Sequence, residues 1–172
     1  LRVECYYNIS NPAEQLGNLN ILEELAALLK DDGLLARALV RRAYCFSAVG
    51  DFQNVLTYAL RAKDFAEAAH DDDLLLAIYL VLPNAFLRTG KGSDALQYAK
   101  DALAFAVKTK TRRGEGSTLT SLGLVSLETE NPTIAMQYHE QALAIAREVK
   151  DRYLEAKALN NLANTVGLSQ GD

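Results

Sequence analysis

The 172-residue chain is 49% hydrophobic with three prolines and ten glycines, which excludes a disordered segment and leaves room for long helices. Its net charge is −4, and no Lys/Arg run exceeds Arg41-Arg42 or Arg112-Arg113, so the basic stripe of a nucleic-acid binder is absent. There is no apolar run of about eighteen residues to cross a membrane, and two cysteines without a signal peptide point to a reducing, cytoplasmic setting.

Apolar residues at steps of three and four predict nine helices, near 1–9, 12–30, 34–49, 52–69, 73–89, 92–109, 114–129, 132–149 and 153–168. The chain opens on LRVECYY, already inside the first helix and without Met, which is expected of an excerpt from a longer protein. Asn11-Pro12 starts the second helix with an N-cap and a preset first turn. Asp31-Asp32-Gly33 separates it from the third, where Leu35, Leu39, Ala43 and Phe46 share a stripe. Gly50-Asp51 marks the next turn, and Val55, Tyr58, Ala59, Ala62, Phe65 and Ala66 form the next stripe. Asp71-Asp72-Asp73, Gly90 to Asp94, Asn131-Pro132 and Asp151 punctuate the rest.

These stops recur every forty residues. Residues 31–70 match 71–110 at twelve positions without a gap, and 111–150 match 71–110 at eleven. ALQYAKDALAFA from Ala95 returns as AMQYHEQALAIA from Ala135. Each unit is a helix pair that cannot bury its stripe alone, so neighbouring units share a core. One domain, 1–172, is expected, with units 1–30 (partial), 31–70, 71–110, 111–150 and 151–172 (partial).

The chemistry-bearing residues are few. His70 beside three aspartates reads as a helix end followed by a cap rather than a metal site. His139, in the column of Ala59 and Ala99, reads as interhelix packing rather than a ligand-facing group. Cys5 and Cys45 sit one unit apart, where neighbouring helices lie ~8–10 Å from each other, too far for a disulfide. Tyr6, Phe46 and Phe86 stack in one core column. Gly114 and Gly116 follow no strand and precede no Gly-Lys-Ser, so they make no phosphate loop. No catalytic, cofactor or metal site is expected, and no enzyme.

The unit resembles the tetratricopeptide repeat. Leu122-Gly123 and Leu162-Ala163 stand in helix A, with Phe46 and Phe86 in the aromatic column. Ala95 and Ala102, and Ala135 and Ala142, flank Tyr98 and Tyr138 in helix B. The forty-residue period, ALNNLAN at 158–164 and QALAIAREVKDR at 141–152 are similar to the longer variety in kinesin light chains, Leu-Gly-Asn-type adaptors and bacterial signalling ATPases and regulators. Arg42 stands where that pattern has Leu, and Pro83 where it has Gly or Ala; Pro83 is expected to kink its helix.

The resemblance implies an all-α fold: a right-handed α-solenoid of stacked antiparallel helix pairs, about four repeats and nine helices. It implies a scaffold module that binds a peptide or protein segment along the A helices, within a larger signalling or regulatory protein. The alternative is an intramolecular regulatory or ligand-sensing segment, or a spacer. Carried over, the groove set is Arg37, Tyr44, Asn84, Arg88, Thr120, Leu124, Lys157, Asn160 and Asn164. Val40, Ser47, Ala77, Leu80, Leu87, Ser117 and Glu128 stand beside them. An amide can hold a peptide backbone whatever its sequence, and Lys157 or Arg88 can hold a carboxylate. The asparagines read equally as ordinary solvated residues, and Arg37, Arg41 and Arg42 as solvent-facing charge. Leu154, Leu159, Leu162 and Val166 on the last helix have no following partner, so end-to-end self-association is expected.

Overall fold

Acidic and amide side chains ahead of most apolar stripes set where the helices begin. The computed structural model describes residues 12–129 and 131–169, and they fold into helices α1 (Pro12–Leu29), α2 (Asp32–Ala48), α3 (Phe52–Ala68), α4 (Asp72–Arg88), α5 (Gly92–Lys108), α6 (Arg112–Thr129), α7 (Pro132–Glu148) and α8 (Arg152–Ser169). The helix expected over 1–9, with Cys5, Tyr6 and the Asn11 cap, lies outside the described residues. The even-numbered helices begin one or two residues earlier than the apolar spacing suggests. In three of the four the reason is the aspartate: Asp31, Asp71 and Asp151 accept the backbone N–H of Leu34, Leu74 and Leu154 at 2.8–3.0 Å. Asn131 does the same for Ile134 at 2.9 Å.

The turns alternate in chemistry. Within units the left-handed residue is Gly50 or Gly90, each at φ 77°. Between units it is Lys30, His70, Lys110 or Lys150, at φ 52–56°. The following N–H then reaches back to close the helix end: Asp31 to Ala26, Asp71 to Ala66, Thr111 to Ala106 and Asp151 to Ala146. His70 is therefore a helix terminus and Asp71 a cap, as the sequence suggests.

Every helix packs on the next one along the chain, and the A helices α2, α4, α6 and α8 also touch in succession. Among the described residues, no B helix (α1, α3, α5, α7) brings its backbone close to that of the next B helix. The A helices thus form a close inner layer and the B helices a splayed outer one, which curves the array toward helix A. The close approach of B helices to the A helices rests on alanine: Ala59, Ala62, Ala99, Ala102 and Ala142 of α3, α5 and α7 are at most 1% exposed. Phe46 stacks on Tyr58 (centroids 5.3 Å apart, planes 5°) and Phe86 on Tyr98 (4.8 Å, 18°). The aromatic column is core, as expected, but each ring pairs within its own unit. Helix α4 runs unbroken through Pro83, whose ring is fully buried.

Arg42 corrects the sequence reading. It is not solvent-facing charge but only 8% exposed. Its guanidinium donates to Glu23 and Asn20 at 2.6 Å each and lies 5.3 Å over the Tyr58 ring, pinning α1 to α2 and α3. Glu23→Ala is expected to cost about 2 kcal/mol by leaving a buried cation without its carboxylate. The pair Glu23→Leu/Arg42→Leu, matching Leu82 and Leu122 in that column, is expected to recover most of it in urea denaturation.

Candidate functional site

On the inner layer, side chains four, three and four residues apart share a face of helix A. That face runs through the columns of residues 37, 41, 44 and 48 and their equivalents forty residues on. Arg37, Arg41, Asn84, Arg88, Leu124, Glu128, Lys157 and Asn164 are exposed on it, and Tyr44, Ala77, Val81, Ser117 and Ser121 are half-buried. It carries four cations against one carboxylate, opposite in sign to the chain as a whole.

Of the residues expected here, Arg37 pairs with Asp71 at 2.9 Å, which raises its pKa and lowers that of Asp71. The Tyr44 hydroxyl donates to the Ala77 carbonyl at 3.4 Å, tying α2 to α4. Lys157 keeps contact with solvent yet is crowded enough that desolvation lowers its pKa, as inside a concavity. Asn84, Arg88, Leu124 and Asn164 share the open face.

Two expectations fall elsewhere. Thr120 is fully buried and its hydroxyl donates to the Gly116 carbonyl at 3.0 Å, so it has nothing to offer a partner. Its column also holds buried Val40; Asn160 is exposed in that column, where no described helix follows α8 to cover it. The sequence reading also misses Asn161, one position on. Asn161 is 8% exposed, and its amide nitrogen has no hydrogen-bond partner although it lies one turn from Lys157. Its column, shared with Arg41, Val81 and Ser121, is the signal that identifies it.

At the far end Leu154 is 3% exposed and packs back toward Gly116 of α6, so it is covered without a following unit. Leu159, 44% exposed, and Tyr153, 74% exposed, keep the apolar surface of α8 open.

Residues 116–149, which run from the first turn of α6 through α7, match the family model described as tetratricopeptide repeat. The fold is that of a tetratricopeptide-like solenoid. Its fold is similar to that of BtubC (BKLC) from P. vanneervenii, at TM-score 0.73 and 20% identity over 91% of this chain and 66% of that one. It is also similar to a Signal Transduction ATPase with Numerous Domains (STAND) protein with a tetratricopeptide repeat sensor from Pyrococcus horikoshii. There the TM-score is 0.67 and the identity 19%, over 92% of this chain and 26% of that one. The chain thus spans under two thirds of BtubC and about a quarter of the STAND protein. No curated protein matches the chain. No helix among the described residues is long and apolar enough to cross a membrane.

Proposed function

We propose that the array is a non-catalytic, cytoplasmic protein-interaction module that holds an extended peptide or protein segment along the A-helix face. The observation that carries this reading is a set of unspent polar groups. Among the described residues, the side chains of Asn84, Arg88, Lys157 and Asn164 make no hydrogen bond or ion pair, and the Asn161 amide nitrogen has none either. Exposed amides on α4 and α8, two units apart in one column, present donor and acceptor to a segment crossing the face, which suits a peptide backbone. The cations suit carboxylates on the same segment.

The test is capture of a partner by the intact chain and by an Asn84→Ala/Lys157→Ala/Asn164→Ala variant with unchanged thermal melting. Loss of the partner in the variant is expected. A partner retained undiminished by the variant would contradict a site on this face.

The 19% identical STAND protein, with its tetratricopeptide repeat sensor, favours a second reading in which the segment held belongs to the same polypeptide and controls a neighbouring domain. End-to-end self-association through Leu159 and Tyr153 of α8 belongs with these proposals; a concentration-independent monomer mass in light scattering would count against it.

A further inference from the structure

Because the B helices splay, each pair of successive B helices leaves a wedge over the A helix between them. The wedge between α3 and α5, over α4, is filled by the chain itself. Tyr79 enters it from α4 and packs on Phe105, with ring centroids 5.4 Å apart, while Lys63 and Glu67 close the top as an ion pair at 2.7 Å. The Tyr79 phenol lies in electrostatic reach of Lys63, Glu67 and Asp101.

The next wedge, between α5 and α7 over α6, has the same backbone plan and different occupants. Forty residues on, Tyr79 becomes Leu119 and Phe105 becomes Ile145, so both rings are gone. Lys63 and Glu67 become Leu103 and Val107, so the ion pair is replaced by aliphatic walls. What remains is an open hollow of about 360 Å³ lined by Leu103, Val107, Leu119, Ala144 and Ile145. Val107 is 54% exposed at its mouth.

The rim holds Gln141, Arg112 and Glu115. Arg112 is shared by Glu115 and Glu148, at 2.5 and 2.6 Å, which leaves one carboxylate in excess. A basic group arriving at the rim therefore meets complementary charge. The hollow is on the outer layer, opposite the face assigned above to the peptide, so the two proposals stand or fall separately.

We propose that the α5–α7 hollow is a docking pocket for a single aromatic side chain of a partner protein, flanked there by basic residues, which fills the place that Tyr79 fills one unit earlier. The neighbouring unit shows that a ring fits the wedge, and the aliphatic lining supplies the contact that Phe105 supplies there. Glu115 at the rim and Glu148, joined to it through Arg112, select against acidic flanks.

The test is titration of the ¹⁵N-labelled chain with the peptide acetyl-Lys-Trp-Lys-amide, with acetyl-Lys-Gly-Lys-amide as control. Saturable shifts are expected at the amides of Leu103, Val107, Leu119 and Ile145 with the Trp peptide only. The variant Leu103→Lys/Val107→Glu restores the ion pair of the filled wedge on partly exposed positions. Leu119→Tyr restores the ring from below. Each is expected to weaken binding at least tenfold. Equal shifts with both peptides, shifts retained in both variants, or shifts confined to the A-helix face would overturn the proposal. Dilution-dependent shifts of the same amides without peptide would overturn it in favour of a second copy of this chain as occupant.

Discussion

Gly123→Ala is expected to destabilise the array by about 3 kcal/mol, although alanine is the better helix former by about 1 kcal/mol. Units 31–70 and 71–110 set an alanine of helix B, Ala59 or Ala99, against helix A. In unit 111–150 that place holds His139, fully buried, and the space for its imidazole is made by Gly123. A Cβ at position 123 would stand 2.2 Å from His139 Cε1 and 2.5 Å from Nδ1. A ring enclosed by two packed helices has nowhere to move, so the clash outweighs the gain in propensity.

His139→Ala alone leaves a cavity against Gly123 and is also expected to lose about 3 kcal/mol. The double variant Gly123→Ala/His139→Ala rebuilds the Ala43/Ala59 pair of unit 31–70, and is expected to return to wild-type stability or exceed it. The urea midpoints of the four proteins form a cycle whose coupling is the size of either single loss. Additive losses in the double variant would show that the glycine and the histidine are not packing partners.

The second large effect is a dependence on pH. Neither nitrogen of His139 has a hydrogen-bond partner, and burial alone pushes its pKa down to about 4 from the ordinary 6.5. No charged group offsets that desolvation. In the unfolded chain the ring takes a proton near pH 6.5, while in the folded chain it resists one until about pH 4. Between these values the unfolded state binds more protons, so stability falls as pH falls. The full loss across the window is about 3 kcal/mol.

Asp71 and Asp151 also lose stability in acid, because their folded pKa values are lowered by Arg37 for the first and by the Leu154 N–H and Arg113 for the second. Their loss begins at the unfolded carboxylate pKa of 3.8 and deepens below it, under the histidine window. The double variant keeps His70 and every carboxylate, so it isolates His139. Urea midpoints between pH 7 and pH 4 are expected to fall steeply in the wild type and to stay nearly level in the double variant. Parallel slopes in both proteins would place the acid sensitivity elsewhere.

Helix boundaries were legible in the sequence because glycine, aspartate and Asn-Pro act locally: a cap needs only the three residues that follow it. The forty-residue repeat carried the rest of the architecture, since each column has the same neighbours in every unit. His139 was readable as packing for the same reason, once its column mates Ala59 and Ala99 were set beside it.

What escaped the sequence depends on contacts between columns. Arg42 looks like surface charge until Glu23 and Asn20, on the preceding helix, are brought within 2.6 Å. Val40 and Thr120 show that one column of the sequence stripe is covered in the inner units. At 100° per residue, the columns of 40 and 41 are adjacent on the helix surface. Only the packing of helix A on its neighbours shows that Val40 and Thr120 are covered while Arg41 faces out, and that on α8 the order reverses, with Asn160 exposed and Asn161 buried. The wedge between α5 and α7 was invisible for a related reason: Leu119 and Ile145 read as ordinary core, and only comparison with Tyr79 and Phe105 in place shows what they fail to fill.

Photo-crosslinking from the two faces of the array tests its central claim most directly. A benzophenone amino acid at Leu124, on the A-helix face, is expected to capture the bound segment. The same group at Asp64, exposed on the outer helix α3, is expected to capture nothing in common with it. Capture of the same segment from Asp64 and not from Leu124 would contradict recognition along the inner layer.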